Sequence, residues 1–342
     1  VGIIGAGGIA RNVHIPGYLK LPNIKMVAVA DPVESSRIGA AEQYDMEASY
    51  ADFRELLKRD DIHIVSVTTP NFMHAEATIA ALEAGKHVLC EKPLAMNATE
   101  GEAMVGAARR TGNKLMCGFH NRFNPEIQCL KRFAENGAFG DMYHARTTAM
   151  RRRGIPSWGM FISKEKNGGG PLIDIGVHML DATLHVMGFP RVVAVSGQTY
   201  QKFGKRKDVT GLLGQWDYKN FTVEDFAVAL VRFENGATLA LESSFVANQA
   251  ERERSCFQIY GDKGGASFKP LGIYTEQNKT LLDITPAHLP TNVNAHHEQI
   301  ASFVDSVVKD KSVYTPGEEA LEVTRIIDAI YESSERGEEI RL

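Results

Sequence analysis

The sequence predicts two domains of different class. The first is an α/β domain on a doubly wound parallel sheet; the second is an α+β domain with an open, mainly antiparallel sheet and helices on one face. Three observations carry this. At 342 residues the chain is long for one hydrophobic core. Its first 120 residues alternate strand-like and helix-like runs. Beyond about Asn124, strand-like runs joined by hairpin turns take over. The boundary is placed between residues 121 and 122, giving domains 1–121 and 122–342, with the last helix free to pack back on the first domain.

The N-terminal strands are expected at Val1–Ile4, Ile24–Ala30, Ile62–Val67, His87–Cys90 and Lys114–Gly118, with helices near Ile9–Leu19, Glu34–Tyr44, Tyr50–Lys58, Phe72–Ala84 and Thr99–Arg110. Ala75, Ile79 and Leu82 recur at helical spacing until Gly85 stops the fourth helix. Short αβ connections imply a parallel sheet covered on both faces, which binds ligands at the carboxyl ends of its strands. Asp31, Thr68-Thr69-Pro70-Asn71, Glu91-Lys92-Pro93 and His120-Asn121-Arg122 all fall there.

In the second domain a helix to about Asn136 precedes the strands. Glu234-Asn235-Gly236 suits a hairpin between Phe226–Phe233 and Ala237–Phe245, and Asp262-Lys263-Gly264-Gly265 one between Phe257–Tyr260 and Ala266–Phe268. Helices are expected at Leu172–Met187, Ala295–Lys309 and Gly317–Arg336. The uncovered face of such a sheet suits a homodimer or homotetramer contact.

Composition narrows the function. A net charge of −4 and a pI near 6.3 give no reason to expect nucleic acid or a membrane surface as partner. No apolar run nears the roughly 20 residues of a membrane helix. Val1 already falls in the first strand-like run, so no signal peptide is expected within these residues. Cys90, Cys117, Cys129 and Cys256 lack CxxC spacing and read as free thiols of a reducing cytoplasm, with no cysteine metal site.

The most informative local signal is Gly5-Ala6-Gly7-Gly8-Ile9-Ala10 directly after the first strand, a glycine-rich turn that is weak alone and gains its meaning from context. Gly5 permits the sharp turn, Gly7 lets backbone N–H groups approach a pyrophosphate, and small Ala10 allows close helix–strand packing. The anion then sits at the positive end of the following helix. Asp31, 24 residues after Gly7, stands where a carboxylate accepts the adenosine ribose hydroxyls. A dinucleotide-binding Rossmann domain follows.

Two further motifs bear on chemistry. Glu91-Lys92-Pro93 closes the fourth strand, where Pro93 favours a cis bond; an exposed charged turn is the alternative. In Gly168-Gly169-Gly170-Pro171 and the helix after it, Asp174, His178 and Asp181 share one face among Leu172, Ile175, Met179 and Leu180. Either they line a cleft, or Asp174 merely suits the helix dipole and pairs with His178.

With these motifs on view, the chain resembles the Gfo/Idh/MocA oxidoreductases essentially end to end: GAGGIA at 5–10, TTPNxxH at 68–74, EKP at 91–93, GFHNRF at 118–123 and GGGPLxDxGxHxxD at 168–181. Ala10 replaces the last glycine of the fingerprint, a tolerated departure. The resemblance implies a Rossmann domain, an open antiparallel sheet domain, and NAD(P) in the cleft. It implies that Lys92 and His178 flank a reacting carbinol and that Asp174 holds or polarises a substrate hydroxyl.

By the same resemblance Gly5, Gly7, Gly8, Ile9, Ala10, Asp31, Thr68, Thr69, Pro70, Asn71, His74, Glu91, Lys92 and Asn121 contact the cofactor, although Asn71 also suits a helix N-cap and Asn121 a loop brace. Lys92, Asn121, Asp174 and His178 contact substrate; Trp158 is read as a further wall of that pocket because an aromatic face suits sugar C–H surfaces, and is equally suited to interdomain packing. Arg151-Arg152-Arg153 reads as a solvated strand end rather than a phosphate site. His296-His297-Glu298 reads as a solvated helix start rather than a zinc site.

Histidine titrates near neutral pH, and a lysine lowered by burial and by a cationic nicotinamide can share proton transfer with it, with no metal required. NAD is expected over NADP, since Asp31 about 4 Å from a 2′-phosphate costs roughly 4 kcal/mol per charge pair. Arg37 softens this, which keeps NADP as an alternative. The expected activity is hydride transfer between the nicotinamide and a secondary alcohol or ketone of a sugar, inositol or related polyol. The alternatives are an NAD-dependent glycosidase working by transient oxidation and a non-catalytic NAD-sensing protein.

Overall fold

A computed structural model describes residues 1–342. Its N-terminal strands are β1 (Gly2–Ile4), β2 (Ala28–Ala30), β3 (Ala48–Tyr50), β4 (Ile64–Val67), β5 (His87–Cys90) and β6 (Leu115–Cys117). Between them run α1 (Ile15–Leu19), α2 (Glu34–Gln43), α3 (Phe53–Leu57), α4 (His74–Glu83) and α5 (Ala98–Thr111). All six strands are parallel in the order β3-β2-β1-β4-β5-β6. Strand order reverses at β1, so the crevice beyond the carboxyl ends of β1 and β4 is where a doubly wound sheet takes its ligand.

β3 is missing from the expected elements, which place a single helix over Tyr50–Lys58. Its three half-buried residues at the sheet edge are too few to show alternation. The helix starts only at Phe53, because the Asp52 side chain accepts the Arg54 N–H and caps it there. The first helix also departs from regularity. A π-turn, Ala10–His14, precedes α1, with the Ile15 N–H reaching back to the Ala10 carbonyl. Pro16 has no N–H for the regular bond to Asn12, and the wider turn accommodates that loss.

The chain continues through α6 (Pro125–Glu135), β7 (Met142–Arg151), α7 (Lys164–Asn167), a second π-turn at Leu172–Gly176, and α8 (Val177–Met187). β8 (Val192–Tyr200), β9 (Phe226–Phe233), β10 (Thr238–Ser244), β11 (Glu253–Gly261), β12 (Gly264–Phe268), β13 (Gly272–Gln277) and β14 (Thr280–Ile284) follow. The chain ends with α9 (Ala295–Val308), α10 (Gly317–Arg336) and β15 (Ile340–Arg341). The second sheet has the order β14-β13-β12-β11-β7-β10-β9-β8-β15. It is antiparallel except where β10 lies parallel to β7. Both anticipated hairpins form; in the first, Gly236 takes φ +85° and the Asn235 side chain accepts the Ala237 N–H.

Two compact units result: 1–123 with 294–324, and 124–293 with 325–342. In the first, Ile300, Phe303 and Val304 of α9 join Ile3, Ile15, Tyr18 and Val29 in one buried cluster. Gly17 makes this possible, since a Cβ there would stand 2.5 Å from Ile300. Buried Arg122 pairs with Glu319, and Thr315 Oγ1 donates to the Cys117 carbonyl at 2.6 Å. A second cluster, in the other unit, gathers Ile155, Trp216, Phe221, Val223 and Phe245, with Trp216 Nε1 donating to the Gly204 carbonyl. All four cysteines are free thiols, and burial pushes Cys90 up to about 12. No helix is long and apolar enough to cross a membrane.

Candidate active site

At the end of β1 the chain turns at Gly5, whose φ is +95°. A side chain there is excluded twice over, by φ and by the Thr68 carbonyl 2.7 Å from the Cβ position. The loop is tied to its neighbours: Gly5 N–H donates to the Ala30 carbonyl, and Ala6 N–H to Asp31 Oδ2 at 2.8 Å. Asp31 Oδ1 accepts the Val33 N–H, so this carboxylate joins the glycine loop to the end of β2. Thr68 Oγ1 donates to the Gly5 carbonyl from the end of β4. Ile9 is half-buried and Ala10 fully buried, as close helix–strand packing requires.

Gly7 and Gly8 are different. Both are exposed; nothing lies within 4 Å of a Cβ built at Gly7, and only Asn12 Nδ2, at 3.8 Å, near one at Gly8. The protein's own packing does not demand glycine at either position, and the open space above their backbone fits a dinucleotide pyrophosphate. Gly7→Ala is therefore expected to keep the wild-type melting temperature while weakening NADH binding by about tenfold or more. Fluorescence titration beside a thermal melt checks this; unchanged affinity would contradict the cradle.

Around β4 and β5, Thr69 is half-buried and Pro70 exposed. Asn71 is the first residue of a short helical turn, Asn71–Met73, rather than its cap, which is Pro70. His74 is buried, and both ring nitrogens face backbone carbonyls: Nδ1 that of Pro93 at 2.7 Å, Nε2 that of Thr69 at 3.0 Å. This ring clasps the loop after β4 to the loop after β5. Burial holds its pKa below the usual value, against the pull of the two carbonyls and Glu91.

Glu91, 7% exposed, turns its carboxylate inward. Oε1 lies 2.9 Å from His14 Nε2, and Oε2 accepts the Lys92 N–H at 3.2 Å. Burial pushes its pKa up, but the bond and charge of His14, with Lys92 and His120, outweigh that and hold it at about 2. An ionised carboxylate only accepts, so His14 Nε2 carries the proton. The chain continues from His14 Nδ1 to Ser66 Oγ (3.1 Å) and on to Tyr18 OH (2.9 Å). The Lys92–Pro93 bond is cis, and Lys92 is half-buried. Nearby, Asn121 is half-buried in the turn His120–Phe123. His120 stacks on His296 at 3.7 Å, and burial with that neighbour lowers its pKa to about 3. His297 instead meets Lys20.

In the second unit Asp174, 8% exposed, sits in the π-turn and His178, half-buried, in the first turn of α8; Asp181 is fully buried below them. The helix start has no cap of its own. Glu224, just before β9, serves instead: Oε2 accepts the Gly170 N–H at 2.8 Å and Oε1 the Leu172 N–H at 3.1 Å. Tyr331 OH donates to Oε1 at 3.0 Å. Trp158 is 56% exposed and walls a cavity of about 210 Å³ with Arg151, Arg153, Leu212 and Arg252. Arg153 is committed to the carbonyls of Arg152 and Ala247 and to the Asn248 side chain. His14, Glu224 and Tyr331 belong to none of the sequence motifs, though His14 shares a helix face with buried Ala10 and Tyr18 at i±4 spacing, which is a signal for the first of them.

Residues 1–119 match the family profile described as oxidoreductase family, NAD-binding Rossmann fold, and residues 127–267 match the GFO/IDH/MocA C-terminal domain. D-glucoside 3-dehydrogenase of Escherichia coli is 38% identical over 342 residues, covering 100% of this chain and 97% of the relative. Levoglucosan dehydrogenase of Pseudarthrobacter phenanthrenivorans is 32% identical over 289 residues, 78% of this chain and 73% of that one. A solved levoglucosan dehydrogenase in complex with NADH and L-sorbose superposes with a TM-score of 0.86 at 26% identity, covering 99% of this chain and 97% of the other. Glycine cradle, strand order and full-length similarity agree: the chain belongs to the Gfo/Idh/MocA family of oxidoreductases, with an NAD-binding Rossmann domain at its N-terminus.

Proposed function

We propose that this protein is an NAD-dependent dehydrogenase that oxidises a ring carbinol of a glucoside or closely related sugar to the ketone. The observation that carries the reading is the conjunction of an open glycine cradle with Lys92, Asp174 and His178 in a chain 38% identical, end to end, to D-glucoside 3-dehydrogenase. Bound NAD supplies the hydride acceptor. The chain's own residues must bind the sugar and take the hydroxyl proton as the C–H bond breaks.

Lys92 and His178 hold and move that proton, and in the reverse direction return it to the carbonyl oxygen. Asp174 accepts a hydrogen bond from a hydroxyl on the ring. Gly5, Gly7, Gly8, Ile9 and Ala10 seat the pyrophosphate. Asp31 takes the ribose and disfavours a 2′-phosphate. Thr68, Thr69, Pro70, Asn71 and Asn121 border the cofactor, while His74 and Glu91 shape that border from behind. Trp158 offers an aromatic face to the sugar. Self-association through the second sheet belongs to the same reading, supported by exposed Tyr143, Tyr274 and Leu281 and read by sedimentation.

The test is a panel of alkyl and aryl glucosides, levoglucosan, aldoses and inositols, followed by nicotinamide absorbance with NAD and NADP and by aglycone release. Reduction of NAD by a glucoside or anhydro-sugar, about tenfold or more faster than of NADP, is the expected result. Faster turnover with NADP would remove the role given to Asp31. Release of an aryl aglycone without NADH accumulation would replace the dehydrogenase reading by the glycosidase one.

A further inference from the structure

We infer that Glu224, braced by Tyr331, is a positioning residue for the substrate groups Asp174 and His178. The inference rests on the roles proposed for those two residues. Two of the three glycines before the helix let this brace approach: a Cβ at Gly169 would stand 1.9 Å from Tyr331 Oη, and one at Gly170 2.2 Å from the Glu224 carbonyl oxygen. With those side chains absent, the Glu224 carboxylate meets three donors, the N–H groups of Gly170 and Leu172 and the hydroxyl of Tyr331.

Gly170 is the joint. Its N–H is held by Glu224, and its carbonyl accepts the Asp174 N–H at 3.1 Å. A covalent and hydrogen-bonded path thus runs Tyr331–Glu224–Gly170–Asp174, with His178 one turn further along. A second tie works from the other side: Ser243 Oγ of β10 donates to the Pro171 carbonyl at 2.8 Å, and a Cβ on Gly176 would meet that Oγ at 2.9 Å. The π-turn carrying Asp174 is therefore set by residues remote in sequence rather than by its own helix. A carboxylate at a helix N-terminus is favoured by the backbone dipoles.

The brace is also titratable. Burial raises the Glu224 carboxyl to about 6 against the pull of its backbone donors. The other charged and titratable groups around it are Tyr331, Asp328 and Glu335 on α10, Tyr200 on β8 and Lys164 on α7, with Lys164 and Glu335 paired at 3.1 Å. Protonation places a hydrogen on a carboxyl that already faces three donors, so acid loosens the helix start.

Glu224→Gln keeps the volume but presents an NH2 where an acceptor is needed. Expected are a fall of about tenfold to a hundredfold in kcat/KM for the sugar, NADH affinity within about twofold of wild type, and displacement of the acidic limb of the kcat/KM profile near pH 6. Tyr331→Phe, which removes one of the three donors, is expected to lie between the two. A variant that melts at lower temperature yet keeps the wild-type sugar KM, kcat and pH profile would overturn the inference by reducing Glu224 to a stability element. A wild-type protein inert toward every sugar would instead remove the proposed function, and the two failures are thereby distinguishable.

Discussion

Replacing Lys92 by methionine is expected to lower kcat with the best sugar by about 10²–10⁴-fold, the range over which a positioned acid or base usually contributes. Methionine preserves the length and apolar stem of the side chain and removes only the ammonium. Two bonds of this turn do not use that ammonium: the Lys92 backbone N–H donates to Glu91 Oε2, and the Pro93 carbonyl faces His74 Nδ1. Both survive the substitution, so NADH affinity and melting temperature should stay near wild type. Steady-state kinetics beside a fluorescence titration separates the outcomes. Activity within about twofold of wild type would take proton transfer away from Lys92.

The second large effect is on stability. His14→Leu strands the Glu91 carboxylate, which is buried and otherwise bonded only to the Lys92 N–H. Removing one partner of a buried pair costs about 3–5 kcal/mol, because the remaining charge loses its hydrogen-bonded partner while staying largely out of water. The pH dependence has a definite sign. Glu91 has its folded pKa depressed, from 4.5 to about 2, so its contribution is present above pH 4.5 and is lost as pH falls toward 2. Urea unfolding of the wild type should therefore show stability declining across that window, and His14→Leu should show much less decline. Pairing it with Glu91→Leu should restore a good part of the loss, since two apolar groups need no partner. Equal stability of His14→Leu and wild type at pH 7 would show that the pair is not a structural requirement.

What was legible in the sequence was what local chemistry decides. The glycine loop announces itself because Gly5 must adopt φ +95° and Gly7 must leave room, and both requirements act on adjacent residues. β5 and α10 fall where periodicity places them, the first as a short apolar run and the second as a long amphipathic pattern. β3 does not, because three half-buried edge residues carry no period. β7, β8, β13 and β14 carry no clear period: in β7 and β8 exposed and buried positions break strict alternation, and half or more of β13 and of β14 is exposed.

Long-range decisions were beyond local reading. Residues 294–324 group with the first unit because Gly17 admits Ile300 and because Arg122 finds Glu319, contacts that no window of sequence contains. Glu224 caps a helix more than 50 residues before it, so the GGGP motif was visible while the reason for its glycines was not. Glu91 could be placed at the mouth of the sheet, yet only the buried His14 shows that its carboxylate faces inward.

Isotope transfer is the decisive measurement. A glucoside carrying deuterium on its ring carbinol carbons is mixed with NAD and an excess of protein for a single turnover, and the nicotinamide is analysed by mass spectrometry. One deuterium in the reduced nicotinamide, with the keto-sugar formed in equal amount, is the expected result. A consumed glucoside that leaves no deuterium in the nicotinamide would contradict hydride transfer as this protein's chemistry.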